Sequence, residues 1–149
     1  KRTDEIIETI KNYNLKYELH SDKKNLKSNP DIYLVDSYGQ NENFYSISKT
    51  VFMGGSFIKH GGQNPLEPAR LGCNVLHGPY VSNFNEVYSL MKELNISTLV
   101  KSHKHLNKTL VLSLKKSKKN ANYIKIKKIG SKILYKNIKE LDNFLDNEN

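Results

Sequence analysis

Between Val51 and Pro79 the sequence runs V-F-M-G-G-S-F-I-K-H-G-G-Q-N-P-L-E-P-A-R-L-G-C-N-V-L-H-G-P, and few folds accommodate that order. Val51–Met53 is a short apolar run and predicts a buried strand. Gly54-Gly55 ends it, where the backbone can turn sharply or lie close to a ligand. After Gly61-Gly62, the run Asn64-Pro65-Leu66-Glu67 predicts a helix start. Asn64 suits the N-cap, Pro65 the first helical position, and Glu67 the place three residues beyond the cap. Gly72 ends that helix, Asn74–His77 predicts the next strand, and Gly78-Pro79 breaks it. This is a βαβ unit whose helix N-terminus suits an anion.

The flanks follow the same alternation. Thr3–Tyr13 places Ile6, Ile7 and Ile10 on one helical face, and Leu15–Leu19 alternates as a strand. Ser21–Pro30 is a polar, lysine-rich loop, Asp31–Val35 a second strand, and Asp36–Gln40 the turn after it. Glu42–Lys49 predicts a short helix carrying Phe44, Tyr45 and Ile47 inward. Downstream, Asn83 and Glu86 repeat the cap-plus-three spacing and start a helix to about Leu94. Thr98–Val100 is a weak strand and His105–Leu114 a helix. Ala121–Leu145 spaces Ile126, Ile129, Ile133, Leu134, Ile138, Leu141 and Leu145 at helical steps, with a bend expected at Gly130. Short apolar strands alternating with amphipathic helices predict an α/β fold. The expected form is a Rossmann-like, mainly parallel sheet of about five strands with helices on both faces. At 149 residues the chain is expected to form one domain, residues 1–149. It opens at Lys1 without a methionine, as a piece of a longer protein would.

Charge separates the two ends. Residues 101–149 hold thirteen lysines against four acids, the whole of the +9 excess, while the first hundred residues balance. Arginine occurs only at Arg2 and Arg70, which argues against a module that reads base edges with guanidinium forks, so no nucleic acid partner is expected. The lysine-rich end reads as a solvated helix face, or as a face attracted to an anionic membrane surface. The single cysteine, Cys73, excludes an internal disulfide. No run of eighteen apolar residues and no signal-peptide pattern is present.

In a parallel sheet of this kind, ligands sit beyond the C-terminal ends of the strands. The loops leaving those ends are Asp36–Gln40, Gly54–Asn64 and Gly78–Asn83, and together they form one candidate site. The loop before Asn64 can offer backbone N–H groups to a phosphate. Glu67 can accept hydrogen bonds from sugar hydroxyls, or act as a plain capping-box residue. The phosphate-binding G-x-x-x-x-G-K-[ST] and the dinucleotide G-x-G-x-x-G are both absent. His103 and His105 lack carboxylate or cysteine companions, so no metal site is expected. His60 either touches a ligand or packs its loop, and His77 reads as structural. No Ser–His–acid set stands out.

The run G-G-S-x-x-x-H-G-G-Q-N-P-L-E-P-A-x-L-G, followed by Gly78-Pro79 and Asn83-Phe84, resembles the C-terminal half of the Kdo transferases. D-I-Y-L-V-D-S-Y-G-Q, with Phe44-Tyr45 after it, matches the same family upstream, so the shared register covers roughly residues 1–100. Those bacterial enzymes transfer 3-deoxy-D-manno-octulosonic acid (Kdo) from CMP-Kdo to a lipid A precursor in lipopolysaccharide biosynthesis. The resemblance implies the donor-binding half of a two-domain GT-B glycosyltransferase. It maps CMP-binding segments onto Tyr38-Gly39-Gln40 and Asn64-Pro65-Leu66-Glu67, with Gln40 standing where the family has glutamate. It also implies that a Pro-Arg pair precedes Lys1 and that the general base, the acceptor-binding region and a membrane anchor belong to an N-terminal domain outside this chain. No catalytic residue is therefore expected here, and no metal or other cofactor is implied. The parent enzyme would work at the cytoplasmic face of the bacterial inner membrane, and the fragment itself would be soluble. In many GT-B proteins the last helix crosses to the other domain, which would leave an apolar stripe exposed here. The competing reading is the C-terminal domain of another GT-B glycosyltransferase, or an epimerase, that uses a UDP-sugar. A third is a non-enzymatic basic module for anionic surfaces.

Overall fold

The computed structural model describes residues 2–22, 29–115 and 121–147. These fall into two compact units, residues 1–41 and 42–149. The first holds α1 (Arg2–Asn12), β1 (Tyr17–Leu19) and β2 (Ile32–Leu34). Ile10 is the buried anchor of α1, while Ile6 on the same face is exposed. The two strands pair in parallel, Tyr17 opposite Ile32 and Leu19 opposite Leu34. Two carboxylates fasten the segments around them. Asp31 accepts the Lys16 N–H at 2.8 Å, and Asp36 accepts both the N–H and the hydroxyl of Ser21, at 3.0 and 2.5 Å. The Ser21 hydroxyl is the main reason the exposed Asp36 carboxyl titrates below its ordinary range, against an opposing push from desolvation. The middle of the expected lysine-rich loop, residues 23–28, lies outside the described residues.

The larger unit begins within α2 (Asn41–Ile47) and continues through β3 (Thr50–Met53), α3 (Leu66–Arg70), β4 (Asn74–His77), a 3-10 turn (Ser82–Phe84), α4 (Asn85–Glu93), β5 (Ser97–Leu99), α5 (His103–Leu114) and α6 (Ala121–Asn147). Its sheet has the order β3-β4-β5, all parallel. Successive residues on a strand point to opposite faces. Val75 and Leu76, neighbours on the central strand β4, are each 1% exposed, so this sheet is covered on both faces. Burying such a side chain contributes about 1.5–3 kcal/mol. One face carries the core of Met53, Ala69, Val75, Tyr88, Met91, Ile96 and Ile126. Elsewhere, α5 packs on β3, with the Thr50 and Ser113 hydroxyls 3.0 Å apart. That helix starts two residues earlier than the sequence suggests, because the Ser102 side chain accepts the His105 N–H and caps it.

Two expectations are corrected. Ile47 does not face inward: it is 77% exposed, and only Phe44 and Tyr45 of that helix are half-buried. Asn83 is not an N-cap, because a 3-10 turn occupies Ser82–Phe84 and α4 begins only at Asn85 with no side-chain cap. The last helix runs through Gly130 as one element. Of its apolar positions, Ile126 is buried in the core and α6 packs against α3, whereas Leu134, Ile138 and Leu141 are exposed; the side chains of Ile129, Ile133 and Leu145 lie outside the described set. Among the described residues, no helix is long and apolar enough to cross a membrane.

Where β3 and β4 end, Ser56 joins them. Its hydroxyl donates to Met53 O at 2.5 Å and accepts the Gly78 N–H at 2.8 Å, and its carbonyl accepts the Tyr80 N–H at 3.0 Å. A Cβ on Gly78 would fall 2.3 Å from the Ser56 carbonyl oxygen and 2.7 Å from the Phe57 ring, and the backbone contact cannot yield as a side-chain end could. Gly78→Ala is therefore expected to cost about 3 kcal/mol in denaturant unfolding. Gly54→Ala, where a Cβ meets nothing within 4 Å, should leave the unfolding midpoint unchanged. A pH dependence follows from Asp36. Its carboxyl is depressed in the folded chain, so its contribution is present above the ordinary carboxylate range and lost as pH falls through the depressed value. Ser21→Ala should move the Asp36 titration, followed by carbonyl NMR, back up toward that range.

Candidate functional site

The segment between β3 and α3 is built around its two prolines. Pro65, Pro68 and Ala69 are buried, while Asn64, Glu67 and Arg70, spaced three apart, share the exposed face. Proline is tolerated at a helix start because the first-turn N–H groups have no partner inside the helix. Helix α3 is assigned from Leu66, one residue later than the sequence predicts, yet Asn64 still acts as the cap. Its side-chain oxygen accepts the Leu66 N–H at 3.1 Å, and Pro65 already has right-handed helical angles. The other end closes as expected. Gly72 adopts a left-handed φ of +81°, with Gly72 N–H on Ala69 O and Cys73 N–H on Pro68 O, both at 3.0 Å.

This architecture changes the expected anion chemistry. Helix α3 is five residues long, so its macrodipole is small. Pro65 and Pro68 have no N–H, Leu66 gives its own to Asn64, and Ala69 donates to Pro65 O. Among the described residues, Glu67 is left as the first-turn amide without a partner. Its carboxylate also makes no capping-box bond back to Asn64 among those residues. It lies near the Tyr45 phenol, whose pKa is raised first by burial and then by the Glu67 charge.

The glycines before Asn64 serve packing as much as any ligand. Gly61 and Gly62 have φ of +88° and +76° and are buried. A Cβ on Gly61 would strike the Asn83 side chain at 2.3 Å, and one on Gly62 would meet Val81 and the Tyr80 carbonyl at 3.1–3.3 Å. The 3-10 turn occupies the space a side chain would need, and the Asn83 N–H donates to Gly61 O at 3.1 Å. Beneath the loop, Tyr88 sends its hydroxyl to Gln63 O at 3.1 Å, and the His77 ring lies 4.2 Å from the Tyr88 ring. Burial holds the His77 pKa below its ordinary value, and its Nδ1 lies 2.8 Å from Gly78 O, which makes Nδ1 the protonated nitrogen of the neutral ring. Burial pushes the Tyr88 phenol up to about 12. His77 is thus structural, as its strand-end position suggests, and His60 is exposed.

In the smaller unit, Tyr38 and Gly39 lie in the bend after β2. Tyr38 is fully exposed, Gly39 has φ +80° with open space at its Cβ, and Gln40 is half-buried. The supporting roles of Ser56 and Tyr88 escaped the sequence reading, which places Tyr45 inward without giving it a neighbour at Glu67. One signal existed: Tyr88 and Met91 share the inward face of α4, and an inward tyrosine needs a partner for its hydroxyl.

No family model matches the chain. The 3-deoxy-D-manno-octulosonic acid transferase of Haemophilus influenzae is 29% identical over 145 residues, covering 97% of this chain and 34% of that protein. That of Aquifex aeolicus is 34% identical over 88 residues, covering 58% of this chain and 25% of that protein. The chain therefore spans about a third or less of the length of these curated relatives. Among solved structures, the C-terminal CMP-Kdo binding domain of WaaA from Acinetobacter baumannii superposes with a TM-score of 0.72 at 26% identity, over 84% of this chain and 64% of that one. The fold is α/β and Rossmann-like, that of a GT-B half. Sequence and structure together place the chain in the 3-deoxy-D-manno-octulosonic acid transferase family, as a counterpart of its C-terminal domain.

Proposed function

We propose that this chain is the donor-binding part of an enzyme that transfers Kdo from CMP-Kdo to a lipid A precursor in lipopolysaccharide biosynthesis. The observation that carries the reading is the likeness over 84% of the chain to a domain solved as CMP-Kdo binding. The local geometry supports it. Asn64 and Glu67 stand exposed at a helix start beyond a strand's C-terminal end, where ligands of parallel α/β sheets bind. In this reading Asn64-Pro65-Leu66-Glu67 and Tyr38-Gly39-Gln40 hold the CMP moiety. The Glu67 carboxylate suits ribose hydroxyls better than phosphate, which it would repel.

The reaction is a displacement at the anomeric carbon of Kdo. A carboxylate from an N-terminal domain deprotonates the acceptor hydroxyl, while the loops of this chain stabilise the departing CMP electrostatically. Residues 1–149 alone are then a single binding domain without transfer activity. The thirteen lysines of residues 101–149 suit an anionic inner-membrane surface on its cytoplasmic side, where such an acceptor would be presented.

Thermal unfolding tests the donor class directly. CMP at a hundredfold excess over its Kd should raise the midpoint by about 5–10 °C, and UDP should leave it unchanged. A shift with UDP and none with CMP would replace this reading by a UDP-sugar enzyme. Glu67→Gln should weaken CMP binding about tenfold in calorimetry, and 2′-deoxy-CMP should lose a similar factor on the unaltered chain. Full affinity in that variant would remove Glu67 from the ribose contact.

A further inference from the structure

Residues 61–64 make a loop that has every reason to be loose. Two consecutive glycines sit in left-handed conformations, and glycine loses more backbone freedom on ordering than any other residue. Two bonds from the segment after β4 oppose this: the Asn83 N–H on Gly61 O and the Tyr88 hydroxyl on Gln63 O, both at 3.1 Å. The second has the firmer base. Tyr88 is 3% exposed, sits in the core with Met53 and Met91, and packs against the buried His77 ring. Its hydroxyl therefore cannot move far without disturbing the sheet.

That bond has a directional consequence. A trans peptide holds its carbonyl and the following N–H on opposite sides of the chain, and the described residues include no cis peptide bond. Gln63 O points down at Tyr88, so the Asn64 N–H points the other way, out of the core. Asn64 is exposed, and its amide has no hydrogen-bond partner among the described residues. Its side chain meanwhile caps Leu66. The Glu67 amide, three residues on, is the other unpartnered donor of this turn.

We infer that Tyr88 is a positioning residue for nucleotide binding: by holding the Gln63 carbonyl inward it turns the Asn64 amide outward as a donor to the nucleotide phosphate. The inference rests on the CMP reading above and assigns a role to a side chain that never touches the ligand. It also explains why a tyrosine, with a hydroxyl that must be satisfied, stands in the core beside Met53 and Met91.

Tyr88→Phe removes one oxygen and keeps the ring. The test compares CMP with cytidine, which lacks the phosphate, in NMR titrations of the unaltered chain and the variant. CMP affinity should fall about five- to tenfold in the variant, cytidine affinity should stay within about twofold, and the Asn64 amide resonance should lose its CMP-dependent shift. Amide exchange should quicken at residues 61–66 and stay slow along β4. Equal CMP affinity in both proteins would overturn the role of Tyr88 and leave the nucleotide reading standing. A parallel loss of CMP and cytidine binding, or a variant that does not fold, would make the hydroxyl merely structural and overturn the inference. An unaltered chain that does not bind CMP would overturn the nucleotide reading and this inference together, and that result appears before any variant is made.

Discussion

Ser56 stands where two neighbouring strands run out, and its hydroxyl and carbonyl serve both of them. The hydroxyl turns the chain leaving β3 back on Met53 and receives the Gly78 amide at the end of β4. The carbonyl takes the next amide but one, from Tyr80. A parallel sheet has no hairpins to bring its strand ends together, so the two loops at its C-terminal edge are far apart in sequence and need such a tie. Glycine at position 78 is the steric condition for it, since a methyl group there would overlap the Ser56 carbonyl. The 80–83 segment then follows in a fixed course. It fills the space beside Gly61 and Gly62 and sets the path of the chain into α3.

The loop chemistry that results differs from a generic phosphate loop. Glycine loops before helices are usually read as nests of N–H donors strengthened by a helix dipole. Here the helix is five residues long, two of the residues around its start are proline, and one amide is already capped by Asn64. Few donors remain in this turn, and each therefore depends on its own orientation. Under the proposed CMP reading, so few donors suit the single phosphate of that nucleotide. Glu67 adds an acceptor at the same turn and brings a charge that disfavours further anionic groups nearby.

Helix α6 shows a different constraint. Its 27 residues span about 40 Å, yet of its described side chains only Ile126 is buried. Ile124, Leu134, Tyr135, Ile138, Leu141 and Phe144 are exposed, interleaved with Lys127 and Lys139. Helical periodicity here secures the element type without securing a buried face, because a period of 3.6 reports only that the apolar residues align. The same limit applied on a smaller scale at α2, where Ile47 follows the pattern of Phe44 and Tyr45 and still points to solvent.

Local chemistry was enough to read the elements from the sequence. The run from Val51 to Pro79 carries its own strand, cap, helix stop and second strand, and each of those signals acts over four residues or fewer. Asn64 caps, Gly72 terminates and Asn74–His77 pairs as that spacing requires, and the parallel order follows from strand and helix alternating. The family was legible there as well, since the motif occupies that same run. What supports the loop was legible only in three dimensions. Ser56 meets Gly78, Asn83 meets Gly61, and Tyr88 meets Gln63 across separations of roughly twenty residues or more. No local rule announces such contacts: their energy comes from burying polar groups that must then find partners, and only the assembled sheet decides which partners lie within reach.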